Sequence, residues 1–138
     1  MYRLETSRAH RILWLLEELQ VPYELKTYKR EKSSKLAPPE LKQVHPLGKS
    51  PILEIESAAT SKPLVLNESG AIVEYLSDHL GKWLIPTRYR EGKEGQIGGE
   101  TESWLRYRMY MHYSEGSIMP LNYIGLLAQS AWIPASFP

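Results

Sequence analysis

Ile12, Leu15, Leu16 and Leu19 recur at positions i, i+3, i+4 and i+7, a spacing that gathers all four on one face of an α-helix and on no single face of a strand. A helix with such an apolar stripe must bury it against other elements, and the chain that follows supplies a sheet. Pro22 closes the helix of residues 7–19. Residues 23–28 (Tyr23-Glu24-Leu25-Lys26-Thr27-Tyr28) alternate as a strand, and residues 29–35 are polar and basic, the pattern of a solvated loop. Pro38-Pro39-Glu40-Leu41 opens a short helix, with proline tolerated in the first turn, and His45-Pro46-Leu47-Gly48 breaks it. Residues 52–55 and 64–66 read as strands joined by a polar connection at residues 57–63. A helix follows at residues 69–80, with Ile72, Val73, Leu76 and Leu80 on one face and Gly81 at its C-terminal end. The order helix, strand, helix, strand, strand, helix predicts an α/β domain. Before the first helix, only Tyr2-Arg3-Leu4 can serve as a strand.

The texture changes after this point. Gly92, Gly95, Gly98 and Gly99 stand among charges in residues 86–99, which read as a linker. Residues 102–118 then read as a helix rich in Trp, Tyr and Met, and residues 131–138 carry two prolines and no clear element. The expected organisation is therefore a first domain over residues 1–85, a linker over 86–99 and a second, partial domain over 100–138.

Composition narrows the chemistry. A chain of 138 residues with 42% hydrophobic and 24% charged residues suits a globular protein. A net charge of +1 gives no strong pull toward nucleic acid or an anionic membrane. The absence of cysteine excludes disulfides, cysteine-ligated zinc, iron–sulfur clusters and a protein thiol nucleophile. His10, His45, His79 and His112 lack metal-ligand spacing, so no metal is expected. No apolar run opens the chain and none is long enough to cross a bilayer, so the expectation is a cytoplasmic chain without a secretory leader.

Three local features can carry chemistry. Thr6-Ser7 opens the first helix, where free amides and about half a positive charge attract an anion; the same residues equally suit a plain N-cap. Ser50-Pro51 precedes a strand. If that bond is cis, the Ser50 backbone can turn outward to pair with a bound peptide, and if trans, Pro51 simply starts the strand. Asn67-Glu68-Ser69-Gly70 joins a strand to a helix. There Ser69 serves either as an N-cap or as the hydroxyl that holds a ligand carboxylate, with Glu68 taking the ligand's ammonium group.

Taken together these motifs resemble the glutathione S-transferase family. Residues 4–19 (Leu4-Glu5-Thr6-Ser7-Arg8-Ala9-His10 and onward) look like its opening helix, Ala37-Pro38-Pro39-Glu40-Leu41 and His45-Pro46-Leu47-Gly48-Lys49-Ser50-Pro51 like its second helix and cis-proline segment, and Glu68-Ser69-Gly70-Ala71-Ile72 like its glutathione-carboxylate motif. The match runs over about residues 3–85, and the Ser-Arg pair resembles the fungal and bacterial branch.

The resemblance implies a thioredoxin-like N-terminal domain with its first strand nearly missing. The start of an all-helical C-terminal domain would follow, in a chain truncated at both ends relative to the family pattern. It implies an enzyme that conjugates glutathione to small electrophiles, in detoxification or fungal secondary metabolism. Glutathione would be the co-substrate, with no other cofactor, and the protein would form a homodimer. Ser7 would be the catalytic hydroxyl facing the sulfur; Lys49, Ser50 and cis Pro51 would contact the peptide, and Glu68 and Ser69 the γ-glutamyl end. Where the family often carries a basic residue before the second helix, this chain has Leu36 and Ala37. The alternative is a noncatalytic binding or scaffold module, or a gene-model fragment.

Overall fold

The computed structural model describes residues 1–131. They fall into two units that divide between Leu84 and Ile85. The first unit runs β1 (Tyr2–Leu4), α1 (Ala9–Glu18), β2 (Lys26–Tyr28), α2 (Glu40–Val44), β3 (Ile52–Ile55), β4 (Leu64–Asn67) and α3 (Ser69–Leu80), and ends in a 3₁₀ turn at Lys82–Leu84.

The four strands form one mixed sheet in the order β2-β1-β3-β4. β1 is parallel to β2, with Tyr2 opposite Lys26, and antiparallel to β3, with Tyr2 opposite Ile52. β3 and β4 are antiparallel, from Ile52 opposite Asn67 to Ile55 opposite Leu64. This is the α/β arrangement that the order of elements predicts, in the thioredoxin-like form that the family resemblance implies. The first strand is three residues long, yet it occupies the centre of the sheet.

Side chains alternate across a strand, so each sheet face builds its own core. On one face, Ile12 and Leu16 of α1 pack with Ile72 and Leu76 of α3, Leu53 and Met1. On the other, Leu41 of α2 packs on Leu4 and Ile52. The periodic positions of the first helix are buried as expected, Leu15 only partly.

Three local readings differ from the structure. The strand expected over residues 23–28 is ordered as β2 only at Lys26–Tyr28, the three residues that pair with Tyr2–Leu4 of β1. α3 begins at Ser69 with Glu68 as its cap residue, so Ser69 stands inside the helix, buried, rather than capping it. The basic loop is held rather than merely solvated: the Arg30 guanidinium donates to the carbonyls of Thr6 and Lys35 at 3.0 and 2.9 Å.

In the second unit, the glycine-rich stretch closes on itself. Tyr89 bridges Glu100, and the amides of Arg90 and Thr101 donate to the carbonyls of Gly99 and Arg88. Thr101 caps α4 (Glu102–Tyr113) by accepting from the Trp104 amide. One π turn at Ser114–Ile118 leads into α5 (Met119–Ala131). The helical path thus continues well past the expected end at residue 118. Pro120 has no amide to donate to an i−4 carbonyl, and the wider π turn relieves that mismatch. Most of the reading of residues 131–138 lies outside the described residues.

Candidate functional site

Chain direction decides which side chains meet. β1 and β4 end, and β3 begins, at the same edge of the sheet, and α1 and α3 start just beyond it. Residues near 5–7, 49–51 and 67–69 therefore converge although the sequence separates them widely.

Ser7 and Ser50 meet first. Their hydroxyl oxygens lie 3.3 Å apart. Ser7 Oγ donates to the Leu4 carbonyl at 2.6 Å and accepts from the Ala9 amide at 3.3 Å. Ser7 thus serves the first turn of α1 from one position before the helix's cap residue, Arg8, whose own side chain makes no capping bond. Ser50 Oγ accepts from the Leu4 amide at 2.9 Å and ties the start of β3 to the end of β1. The Ser50–Pro51 peptide bond is cis, and Pro51 is buried. Lys49 is exposed.

Asn67 joins the second pair of segments. Its Nδ2 donates to the Lys49 carbonyl at 3.2 Å and the Pro51 carbonyl at 2.9 Å, one on each side of Ser50. This fixes the segment that carries the exposed backbone. Sequence reading placed Asn67 in the strand–helix junction but gave it no task. Its signal, an amide side chain at the strand end nearest a Ser-Pro step, has meaning only once β3 and β4 are paired.

Glu68 follows with φ +76°, which turns the chain abruptly from β4 into α3. The turn leaves the Glu68 side chain exposed and puts buried Ser69 on the helix's first position. The free amides of that first turn face the same edge as those of α1.

Gly48, just before this segment, also has a positive φ of 58° and is buried against Lys42. Arg30 acts from the opposite side. Besides holding the Thr6 carbonyl, its own amide donates to Glu5 Oε1 at 2.9 Å. The backbone between β1 and Ser7 is thereby fixed where Thr6 takes φ +48°. Sequence reading gives Arg30 only a place in a basic loop; the structure ties it to Glu5, Thr6 and Lys35. Among the described residues, no three His, Asp or Glu side chains cluster as metal ligands.

Comparison with known proteins decides which family the chain belongs to. Residues 7–79 match the family model described as glutathione S-transferase, N-terminal domain. This chain belongs to the glutathione S-transferase family. It is 39% identical over 117 residues to glutathione S-transferase 1 of Saccharomyces cerevisiae, an overlap of 85% of this chain and 45% of that protein. It is 38% identical over 120 residues to glutathione S-transferase 3 of Schizosaccharomyces pombe, covering 87% of this chain and 42% of the relative. The chain thus spans less than half the length of these curated family members. A solved glutathione S-transferase from Actinobacillus pleuropneumoniae superposes with a TM-score of 0.68 at 33% identity, over 94% of this chain and 53% of that one. A glutathione transferase homolog from Lodderomyces elongisporus, solved with two glutathione molecules per subunit, is 22% identical. It shares the fold with a TM-score of 0.54, over 81% of this chain and 47% of its own. No helix among the described residues is long and apolar enough to cross a membrane.

Proposed function

We propose that the first unit binds glutathione at the edge built by Ser7, Lys49, Ser50, Pro51, Glu68 and Ser69. The tripeptide would then be presented as a thiolate to a small electrophile. The observation that carries this reading is the meeting of the Ser7 and Ser50 hydroxyls at 3.3 Å beside the first turn of α1. The Ser50 backbone would pair with the cysteinyl peptide unit, with Lys49 reaching over the peptide from the exposed side. The first turn of α3 and Ser69 would receive the γ-glutamyl carboxylate, and Glu68 its ammonium group.

The chemistry asks for a modest effect. A free thiol titrates near pH ~8.5, and lowering that by about two units takes about 2.7 kcal/mol. The amides at a helix N-terminus together with one charge-assisted hydrogen bond are of that order. In the present geometry the Ser7 proton is directed at the Leu4 carbonyl. A thiolate is the stronger acceptor, so ligand binding would draw that proton to the sulfur. The thiol proton leaves to solvent and the sulfur lone pair forms the C–S bond. The electrophile then either expels its leaving group or, as a conjugated alkene, takes up a proton at carbon. Because the reactive thiol comes with glutathione, a chain without cysteine can run this reaction and needs no other cofactor. A cytoplasmic enzyme of detoxification or secondary metabolism, working as a homodimer, fits the reading.

The Ser7–Leu4 bond also favours a second reading, a noncatalytic glutathione-binding module, since that hydroxyl already has a backbone acceptor. Calorimetric titration with glutathione tests the binding that both readings share, and a folded protein that takes up no glutathione would sink both. Conjugation of a generic chloronitrobenzene substrate separates them. Turnover that falls on Ser7→Ala supports the enzyme; binding without turnover supports the module.

A further inference from the structure

One guanidinium holds two strained residues. Arg30 Nη2 donates to the Thr6 carbonyl at 3.0 Å, and Nη1 to the Lys35 carbonyl at 2.9 Å. Thr6 and Lys35 both take left-handed backbone, with φ of +48° and +59°. A residue other than glycine stays in that region only where its surroundings hold it there. Removing Arg30 from its place therefore acts at both ends, on the segment that carries Ser7 and on the turn of residues 31–36.

That turn is closed on itself and presents its tip to solvent. The Lys35 amide donates to the Glu31 carbonyl at 2.9 Å, and the Glu31 amide to the Leu36 carbonyl at 3.1 Å. Ser34 is built into the turn: its hydroxyl donates to Glu31 Oε2 at 2.6 Å and accepts from the Leu36 amide at 3.2 Å. Ser33 stands beside it at the tip. It is exposed, and among the described residues its hydroxyl makes no hydrogen bond. Lys29, Arg30, Lys32 and Lys35 all lie within four residues of it. The single carboxylate in that span, Glu31, already accepts from Ser34.

A free hydroxyl among cations suits a protein kinase that recognises basic segments, because such an enzyme selects its substrate by charge pattern. A phosphoryl group at the tip would add about −1.5 to −2 charges and three acceptor oxygens. The Arg30 guanidinium, which now serves two neutral carbonyls, would meet a stronger acceptor. Its planar fork pairs with phosphate bidentately, in charge-assisted bonds roughly twice as strong as neutral ones. We propose that Ser33 is a phosphorylation site, and that its phosphate draws Arg30 off the Thr6 carbonyl and slackens the backbone that places Ser7. The effect on turnover rests on the glutathione reading of this edge. In the transfer, Ser33 Oγ bonds the γ-phosphorus of a nucleoside triphosphate while the bond to the β-phosphate oxygen breaks. The hydroxyl proton passes to the kinase's catalytic carboxylate, and the nucleoside diphosphate leaves.

The test uses the full chain, magnesium ATP and the catalytic subunit of a cyclic-AMP-dependent protein kinase. Mass spectrometry should place a phosphate on Ser33, and Ser33→Ala, which leaves basal turnover unchanged, should take up none there. A folded chain that gains no phosphate on Ser33 overturns the assignment. Phosphorus NMR against pH then reads what the phosphate touches, in a chain given phosphoserine at position 33 during translation. Paired with Arg30, the phosphate should titrate about half a pH unit or more below the ~6 of a free phosphoserine, and Arg30→Gln should restore that value. Equal titration in both chains shows that Arg30 is not its partner, and the switch fails. Conjugation completes the test. The phosphorylated chain should turn over about tenfold more slowly with KM for glutathione little changed. Hydrogen exchange should quicken at the Ala9 amide, which donates to Ser7 Oγ. Unchanged kcat together with unchanged exchange overturns control of this edge. An unmodified chain that neither binds nor conjugates glutathione sinks the function proposed above, while the phosphorus titration and the Ala9 exchange still decide the switch.

Discussion

Ser7 Oγ and Ser50 Oγ lie 3.3 Å apart although 43 residues separate them. The two hydroxyls have different tasks. Ser50 holds the Leu4 amide and so registers β3 against β1, while Ser7 stands at the first turn of α1 with its proton on a backbone carbonyl. Ser7→Ala removes the hydroxyl that would meet the thiolate. The bound glutathione thiol should titrate about one to two pH units higher, and turnover near neutral pH should fall about ten- to hundredfold. Glutathione affinity should change little, because the peptide contacts lie elsewhere. Thiolate absorbance in the ultraviolet against pH reads the first effect. An unchanged thiol titration reduces Ser7 to a local cap, worth roughly 0.5–2 kcal/mol of stability.

Asn67 tests the same edge from β4. Asn67→Ala removes two donors and leaves the carbonyls of Lys49 and Pro51 without them. A loss of about 1–3 kcal/mol in urea unfolding is expected. Glutathione affinity should drop with it, since the backbone of Ser50 lies between the two freed carbonyls. Asn67→Asp keeps the size but, when ionised, donates nothing, and should behave like the alanine variant. A variant that loses stability but keeps full affinity would show that Asn67 supports the sheet without shaping the site.

The Tyr2–Glu54 pair carries the clearest pH dependence. The hydrogen bond to Glu54 is the main reason the Tyr2 hydroxyl is pushed above its ordinary value near 10; partial burial and the negative charge of Glu54 act the same way. The folded state therefore holds this proton more tightly than the unfolded chain. Its stabilisation is fully present below about pH 10 and is lost as pH rises through the folded value. Tyrosinate absorbance should show late titration of Tyr2 beside that of Tyr23, whose hydroxyl donates to Glu17 and is raised in the same way; Glu54→Gln brings only the Tyr2 component back toward the ordinary value, and Tyr2→Phe removes it.

Much of the first unit is legible in the sequence because its elements are locally encoded. The stripe of Ile12, Leu16 and Leu19 needs no tertiary information, and neither does a helix opening after Pro39. Residues whose role depends on pairing are not legible in this way. Tyr23-Glu24-Leu25 alternates as a strand should, but a strand needs a ladder partner, and the ladder with β1 runs only from Lys26 to Tyr28. Ser69 has the side chain of an N-cap, yet the positive φ of Glu68 starts the helix one residue earlier than a serine cap would. The helix expected to end at residue 118 runs on, because a π turn carries the chain into α5 past Pro120. At the candidate site the sequence singles out Ser7 and Ser50, which the structure brings together, but gives Asn67 and Arg30 no task. Both act by donating from a side chain to distant backbone carbonyls, and such acceptors leave no mark in composition or spacing.

Arg30 gives the last test. Its guanidinium spans two carbonyls, those of Thr6 and Lys35, while its amide holds the Glu5 carboxylate. Thr6 takes φ +48°, a conformation unfavourable for a residue branched at Cβ, so the surrounding contacts must hold it there. Lysine keeps the charge but offers a point ammonium in place of a planar fork, and it will satisfy one carbonyl at a time. Arg30→Lys should cost about 0.5–1.5 kcal/mol of stability, the worth of one ordinary hydrogen bond. The informative readout is kinetic. If Arg30 positions Ser7 through Thr6, Arg30→Lys lowers kcat and raises the bound thiol's pH of titration while KM for glutathione moves little. If it only closes the loop, stability falls and both kinetic constants stay where they were.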